Sequence, residues 1–186
     1  METQFQSALE RLRASNRSRD DDGVAEVLKG LELTTVEAGE WPAGFFDELK
    51  ELLEDKSFLS LKNSWNLLYF INNNWEQLSP HDREQLRRVL AVAFDKYGDW
   101  MGAFVTSEIL GEHYPDEATL AILADLGKNA RLPARAAVPH ALETLAGVTQ
   151  QESMRGLAIN QLQALQKSDS DEVRQEALIS LKKLGR

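Results

Sequence analysis

Three stretches of this chain repeat one spacing, and that spacing constrains the fold more than anything else in the sequence. Counting from Arg174, steps of three, seven and ten reach Ala177, Leu181 and Leu184; from Arg155 they reach Ala158, Leu162 and Leu165; from Arg135 they reach Val138, Leu142 and Leu145. These offsets share one helical face, with a small or branched residue where a neighbour comes close and leucines beneath it. Arg135 and Arg174 are 39 residues apart, with Arg155 between them on an intervening helix. A looser copy, Trp100, Ala103, Ser107 and Leu110, starts 35 residues before Arg135. A period of this length made of helix pairs buries its apolar faces by stacking one pair on the next.

Apolar residues recur at spacings of three and four almost throughout, and no long stretch alternates with period two, so the whole chain reads as helical. The pattern predicts helices over 2–14, 24–31, 43–55, 58–74, 80–97, 99–112, 116–127, 133–146, 151–166 and 171–184. Ser79 before Pro80, with Asp82 behind it, reads as a capped helix start, and so does "YPDEATLA" at Pro115, Asp116 and Glu117. Gly98, Gly127, Gly147 and Gly185 fall where helices are expected to stop. "SNRSRDDDG" reads as a polar loop and "TTVEAGEWPAG" as a connector pinned by Trp41 and Pro42. Asn72, Asn73 and Asn74 read as a helix end, where an asparagine adopts a left-handed cap.

"DSDEVRQEALISLKKLG" resembles the first helix of a HEAT repeat in its aspartate, its Val-Arg pair, its small residue and its closing leucines. "RAAVPHALETLAG" is similar to the same family, including the proline within the helix, Pro139. The resemblance is clear over 99–186, weak over 58–98 and absent before that. It implies an armadillo-type fold: a right-handed α-α superhelix of HEAT-like pairs, about eight to ten helices in a single domain. An acidic N-terminal helical region, 1–57, then packs with the repeats of 58–186. In HEAT-like repeats the aspartate and arginine of this motif commonly bond between neighbouring repeats. The resemblance therefore implies a structural role for Asp171, Arg174, Arg155 and Arg135.

The 186 residues carry a net charge of −9, distributed as −7 over 1–60, −4 over 61–130 and +2 over 131–186. An acidic chain is poorly suited to neutralising phosphates, so no nucleic-acid partner is expected. With no cysteine there is neither a disulfide framework, nor a thiolate metal site, nor a cysteine nucleophile. Charges interrupt the N-terminus where a signal peptide needs an apolar run, and no segment approaches the roughly 20 apolar residues of a membrane span. The expectation is a cytoplasmic protein without a membrane association.

No glycine-rich phosphate cradle and no nucleophile-base-acid pattern stands out, so the expectation is a non-catalytic chain without cofactor. His81, His113 and His140 lie on different elements; the turn at Glu112, His113, Asp116 and Glu117 is explained by helix capping, so no metal is expected. Aromatics concentrate in "NSWNLLYFINNNWEQLSP" and "DKYGDWMGAF", and most of them read as core. Trp100 beside Asp99 is the expected exposed anchor. Tyr69, Trp75, Glu108, Glu112, Asp116 and Glu117 complete the expected partner-binding set.

Solenoids commonly hold another macromolecule on an extended face. The first expectation is therefore a protein-binding solenoid whose acidic, aromatic face receives a basic protein, in the manner of immunity proteins that neutralise basic toxin domains. Two alternatives stand beside it. One is an enzyme on this scaffold: a HEAT-like DNA glycosylase, with Trp100, Asp99 and Arg135 in its groove, or a chromophore lyase. The other is an assembly adaptor. For that role "KKLGR" reads as a polar cap, so the expected state is a monomer or weak homo-oligomer.

Overall fold

A computed structural model describes residues 2–97 and 100–186, and all regular structure among them is helical, with no strand. The chain divides into two compact units, Met1–Gly98 and Asp99–Arg186. The boundary drawn from the sequence at residue 57 does not coincide with this division, because residues 58–97 pack with the helices before them.

In the first unit α1 (Glu2–Ser18) and α2 (Asp21–Ala38) pair along their lengths. Phe5, Leu9 and Leu12, one helical turn apart, are buried on α1 against Val24, Val27, Leu28 and Leu31 of α2. Then follow α3 (Phe45–Glu54), the single turn α4 (Lys56–Leu59), α5 (Asn66–Asn73), a 3₁₀ turn (Trp75–Gln77) and α6 (Pro80–Ala93). α3 packs on α6 and α5 on α2. Phe45 meets Phe5 and Trp41 edge-on at 4.8 and 5.3 Å, and Trp41 stacks on Phe70 at 5.4 Å. The Trp41 indole N–H donates to Thr35 Oγ1 at 3.2 Å.

The segment 15–42 departs most from its sequence pattern. "SNRSRDDDG" is not a loop: α1 continues through Ser18 and α2 begins at Asp21. Bonds to residues about forty positions away hold it. Asn16 Nδ2 donates to Asp55 at 2.7 Å, Arg19 donates to the Ser57 carbonyl at 2.8 Å, and Asp21 accepts from the Lys62 N–H at 2.7 Å. Asp20 caps α2 by accepting from the Gly23 N–H at 2.9 Å, and Arg19 makes the turn with φ at 59°. "TTVEAGEWPAG" is helical as far as Ala38, where Gly39 closes the helix with φ at 79°.

The single helix expected over 58–74 is broken between Leu59 and Asn66. There Ser64, fully buried, donates to the Leu61 carbonyl at 2.8 Å instead of facing water. The asparagines do end α5, but Asn74 has φ at −112°, outside the left-handed region. Ser79 and Asp82 form the reciprocal cap expected ahead of α6.

The second unit comprises α7 (Trp100–His113), α8 (Glu117–Asn129), α9 (Ala134–Val148), α10 (Glu152–Leu165) and α11 (Asp171–Lys183). α9 packs against each of the other four. The repeated spacing explains how. Val138, Ala158 and Ala177 are buried, as are Leu142, Leu162 and Leu181 one turn further on, so the same face of each helix turns inward. Ala103, Ser107 and Leu110 of α7 are fully buried as well. Gly111 lets α7 and α9 touch, since a Cβ there would lie 2.5 Å from the Ala141 carbonyl oxygen.

Gly127 and Gly147 lie inside helices rather than at their ends, and Gly98 lies outside the described residues. At Gly127 a Cβ would meet Leu165 Cδ2 at 3.2 Å, so that glycine serves close packing. Gly185 follows α11 with φ at 72°. No helix among the described residues is long and apolar enough to cross a membrane.

Candidate functional site

Helical spacing sets Trp100, Phe104 and Glu108 along one row of α7, and Glu112 continues the row by a turn. On α9 the neighbouring row is Ala136, His140 and Glu143, and on α11 it is Glu172, Glu176 and Lys183. Packing within the second unit joins the three rows into one surface. Phe104 stacks on His140 with ring centroids 4.2 Å apart and planes at 14°, and the Trp100 ring lies 5.9 Å from Phe104. Beside them is a hollow of about 270 Å³ lined by Trp100, Leu132, Pro133 and Ala136, with Glu172 and Glu176 as its acidic wall.

His140 sits between two carboxylates. Its Nε2 is 3.7 Å from Glu108 Oε1 and its Nδ1 is 4.0 Å from Glu143 Oε2, both longer than a hydrogen bond. Glu143 in turn pairs with Lys183 at 3.2 Å. Burial pushes the His140 imidazolium below its ordinary value near 6.5; Glu108 and Glu143 pull it up, Lys183 pushes it down, and burial prevails. The ring is therefore neutral at pH 7 and does not offset the carboxylates around it, of which Glu143 is matched by Lys183 instead.

This arrangement has a stability consequence. As pH falls, the unfolded chain takes up a proton on this histidine near pH 6.5, before the folded chain does. The folded state's advantage is complete above that pH and declines below it. Urea unfolding between pH 7.5 and 5 is expected to show wild type losing more stability on acidification than His140→Gln. Parallel losses in the two proteins would refute the assignment.

The expected partner-binding residues are distributed as follows. Trp100 is half-buried on the three-helix surface, Glu108 is on it, and Glu112 is exposed at its margin with its carboxylate 4.0 Å from His113 Nε2. Asp116 caps α8, accepting from the Thr119 N–H at 2.9 Å, and Glu117 is exposed in the first turn. Tyr69 and Trp75 belong to the first unit: Tyr69 meets Trp65 edge-on at 5.5 Å, and the Arg83 guanidinium lies over Trp75 at 5.1 Å. Asp99 lies outside the described residues. Phe104, His140, Glu143, Glu172 and Glu176 were not expected here. Only Phe104 had a signal in the sequence, through its spacing between Trp100 and Glu108.

The arginines of the repeat are engaged in building the unit. Arg174 pairs with Asp171 on its own helix and donates to the Ser168 carbonyl at 2.7 Å. Arg155 donates to the Ala146 and Thr149 carbonyls at 3.0 and 3.4 Å, closing the turn after α9. Asp171 and Arg174 thus pair within α11, whereas Arg135 of α9 reaches past its own helix to Ser168 Oγ at 3.1 Å and to the Asp169 carboxylate beyond α10. Arg135 holds the Asp169 carboxyl below the usual carboxylate range. Among the described residues, no group of three or more His, Asp or Glu side chains is arranged to hold a metal.

Comparison with protein-family models, with curated proteins and with solved structures returns no match.

Proposed function

We propose that the chain is a non-catalytic protein-binding module with a HEAT-like α-solenoid as its second unit, and that the surface of α7, α9 and α11 receives a basic segment of another protein. The solenoid reading draws support from α9, which packs against helices on both sides of it in sequence while every copy of the repeated spacing turns the same face inward. The observation that carries the functional reading is the joining of three side-chain rows into one acidic, aromatic surface around a neutral histidine. Aromatic side chains supply contact area, while carboxylates steer an oppositely charged partner and select against acidic ones. Neutralisation of a basic toxin domain by an immunity protein is the narrower form of this reading.

An arginine- and lysine-rich dodecapeptide labelled with a fluorophore is expected to bind the full chain with salt-sensitive affinity, and a glutamate-rich peptide is not. Glu108→Lys combined with Glu176→Lys is expected to weaken the basic peptide about tenfold or more, since like charges facing each other cost several kcal/mol. Trp100→Ala is expected to cost about tenfold in its own right. Equal affinity across wild type and these variants would remove the reading. The immunity form has its own assay: co-expression should restore growth of cells that produce a basic toxin encoded beside this chain, and the charge-reversed variant should not.

A further inference from the structure

On a different set of helices, α8 and α10 lie side by side and leave an open groove of about 570 Å³ between them. Gln161 fixes the spacing of its walls by donating from Nε2 to the Leu120 carbonyl at 3.3 Å, and Gly127 lets Leu165 close in further along. Leu157 and Leu165 supply the apolar walls of the groove over the buried Leu123, and Asn160, Gln161, Ser168, Asp169 and three cations make up its polar lining. Leu157 is 48% exposed, an apolar side chain that the fold leaves uncovered.

Charge gives the groove a polarity. Lys128 stands in the last turn of α8 and Lys167 just beyond α10; both line the groove, and neither ammonium group forms a hydrogen bond or ion pair among the described residues. The third cation, Arg135, is matched by Asp169. The lining thus combines apolar walls with two ammonium groups that have no carboxylate partner among the described residues.

We propose that this groove binds a small amphipathic anion, a monomeric unbranched aliphatic carboxylate, with its chain along the leucines and its carboxylate at Lys128 and Lys167. The volume falls within the roughly 300–1,000 Å³ of small-ligand sites, which likewise combine apolar walls with placed polar groups. An uncharged chain would leave both ammonium groups unmatched, and a cationic amphiphile would be repelled by them.

Titration calorimetry of the full chain with octanoate, decanoate and dodecanoate, each below its micelle concentration, tests this directly. Affinity should rise about fourfold per added methylene. Dodecanoate should bind about threefold to tenfold more tightly than dodecan-1-ol, as expected for exposed ion pairs. Lys128→Ala with Lys167→Ala should erase that difference, and Leu157→Asp, at an exposed position where the helix is not at risk, should weaken all three carboxylates.

No heat with dodecanoate at either of two well-separated temperatures would overturn the proposal, since apolar burial changes the heat capacity even where its enthalpy passes through zero. Equal binding of dodecan-1-ol or dodecyltrimethylammonium would overturn it as well. Affinity unchanged by the Leu157 and lysine substitutions would place any binding elsewhere. Binding to phosphatidylglycerol vesicles without binding to monomeric carboxylate would assign the groove to a membrane surface and equally defeat the claim.

Discussion

Gly111→Val is expected to destabilise the second unit by about 3 kcal/mol. Ordinarily a glycine inside a helix is a weak point, and replacing it by alanine gains up to about 1 kcal/mol. At Gly111 sterics reverse the sign. A Cβ would lie 2.5 Å from the Ala141 carbonyl oxygen and 2.9 Å from Thr144 Cβ, and the first of these belongs to the α9 backbone, which no rotamer change can move aside. Adding the two methyls of valine forces α7 away from the helix against which the whole unit is packed.

Gly156 provides the internal contrast. It lies inside α10, and a methyl group added there would have nothing within 4 Å, so Gly156→Ala should raise stability by about 0.5–1 kcal/mol. Urea unfolding of the full chain, read by amide hydrogen exchange over residues 100–186, separates the two cases. A Gly111→Val protein as stable as wild type would mean that α7 and α9 do not approach at this point.

That contact also shows where reading the sequence stops short. Gly111 carries no local mark of its role, because the atoms it makes room for are thirty residues further along the chain. The same limit explains the misread segment at 15–42. Its serines, asparagine, arginines and aspartates favour turns by local preference, yet Asn16, Arg19 and Asp21 find partners between residues 55 and 62 that favour two long helices instead. Where the signal is periodic, as from Arg135, Arg155 and Arg174, both the helices and their buried faces were legible.

The candidate surface divides in the same way. Trp100 and Glu108 were legible because aromatic and acidic side chains on one helix advertise themselves. Glu172, Glu176 and His140 carry no such mark in the sequence, and packing alone sets them beside Trp100 and Phe104. Arg135 shows the converse: its place in the repeat was legible, but its partner Asp169 is 34 residues away and marked by no motif.

The repeated leucines support a second large effect, in which identical sequence positions have unequal consequences. Leu145, Leu165 and Leu184 occupy the same place in the spacing, ten residues after their arginines. Leu145 is fully buried in α9, which packs against four other helices, whereas Leu184 is only partly covered at the end of α11. Leu145→Ala removes buried methyls and leaves a cavity, so a loss of about 2–5 kcal/mol is expected. Leu184→Ala vacates a site that solvent already reaches, and its cost should stay below about 1.5 kcal/mol. Chemical denaturation of both variants, with hydrogen exchange assigning the loss to residues 100–186, checks the ratio. Equal losses would mean that the last helix is covered as completely as the central one, and would point to a further layer packed on α11 in solution.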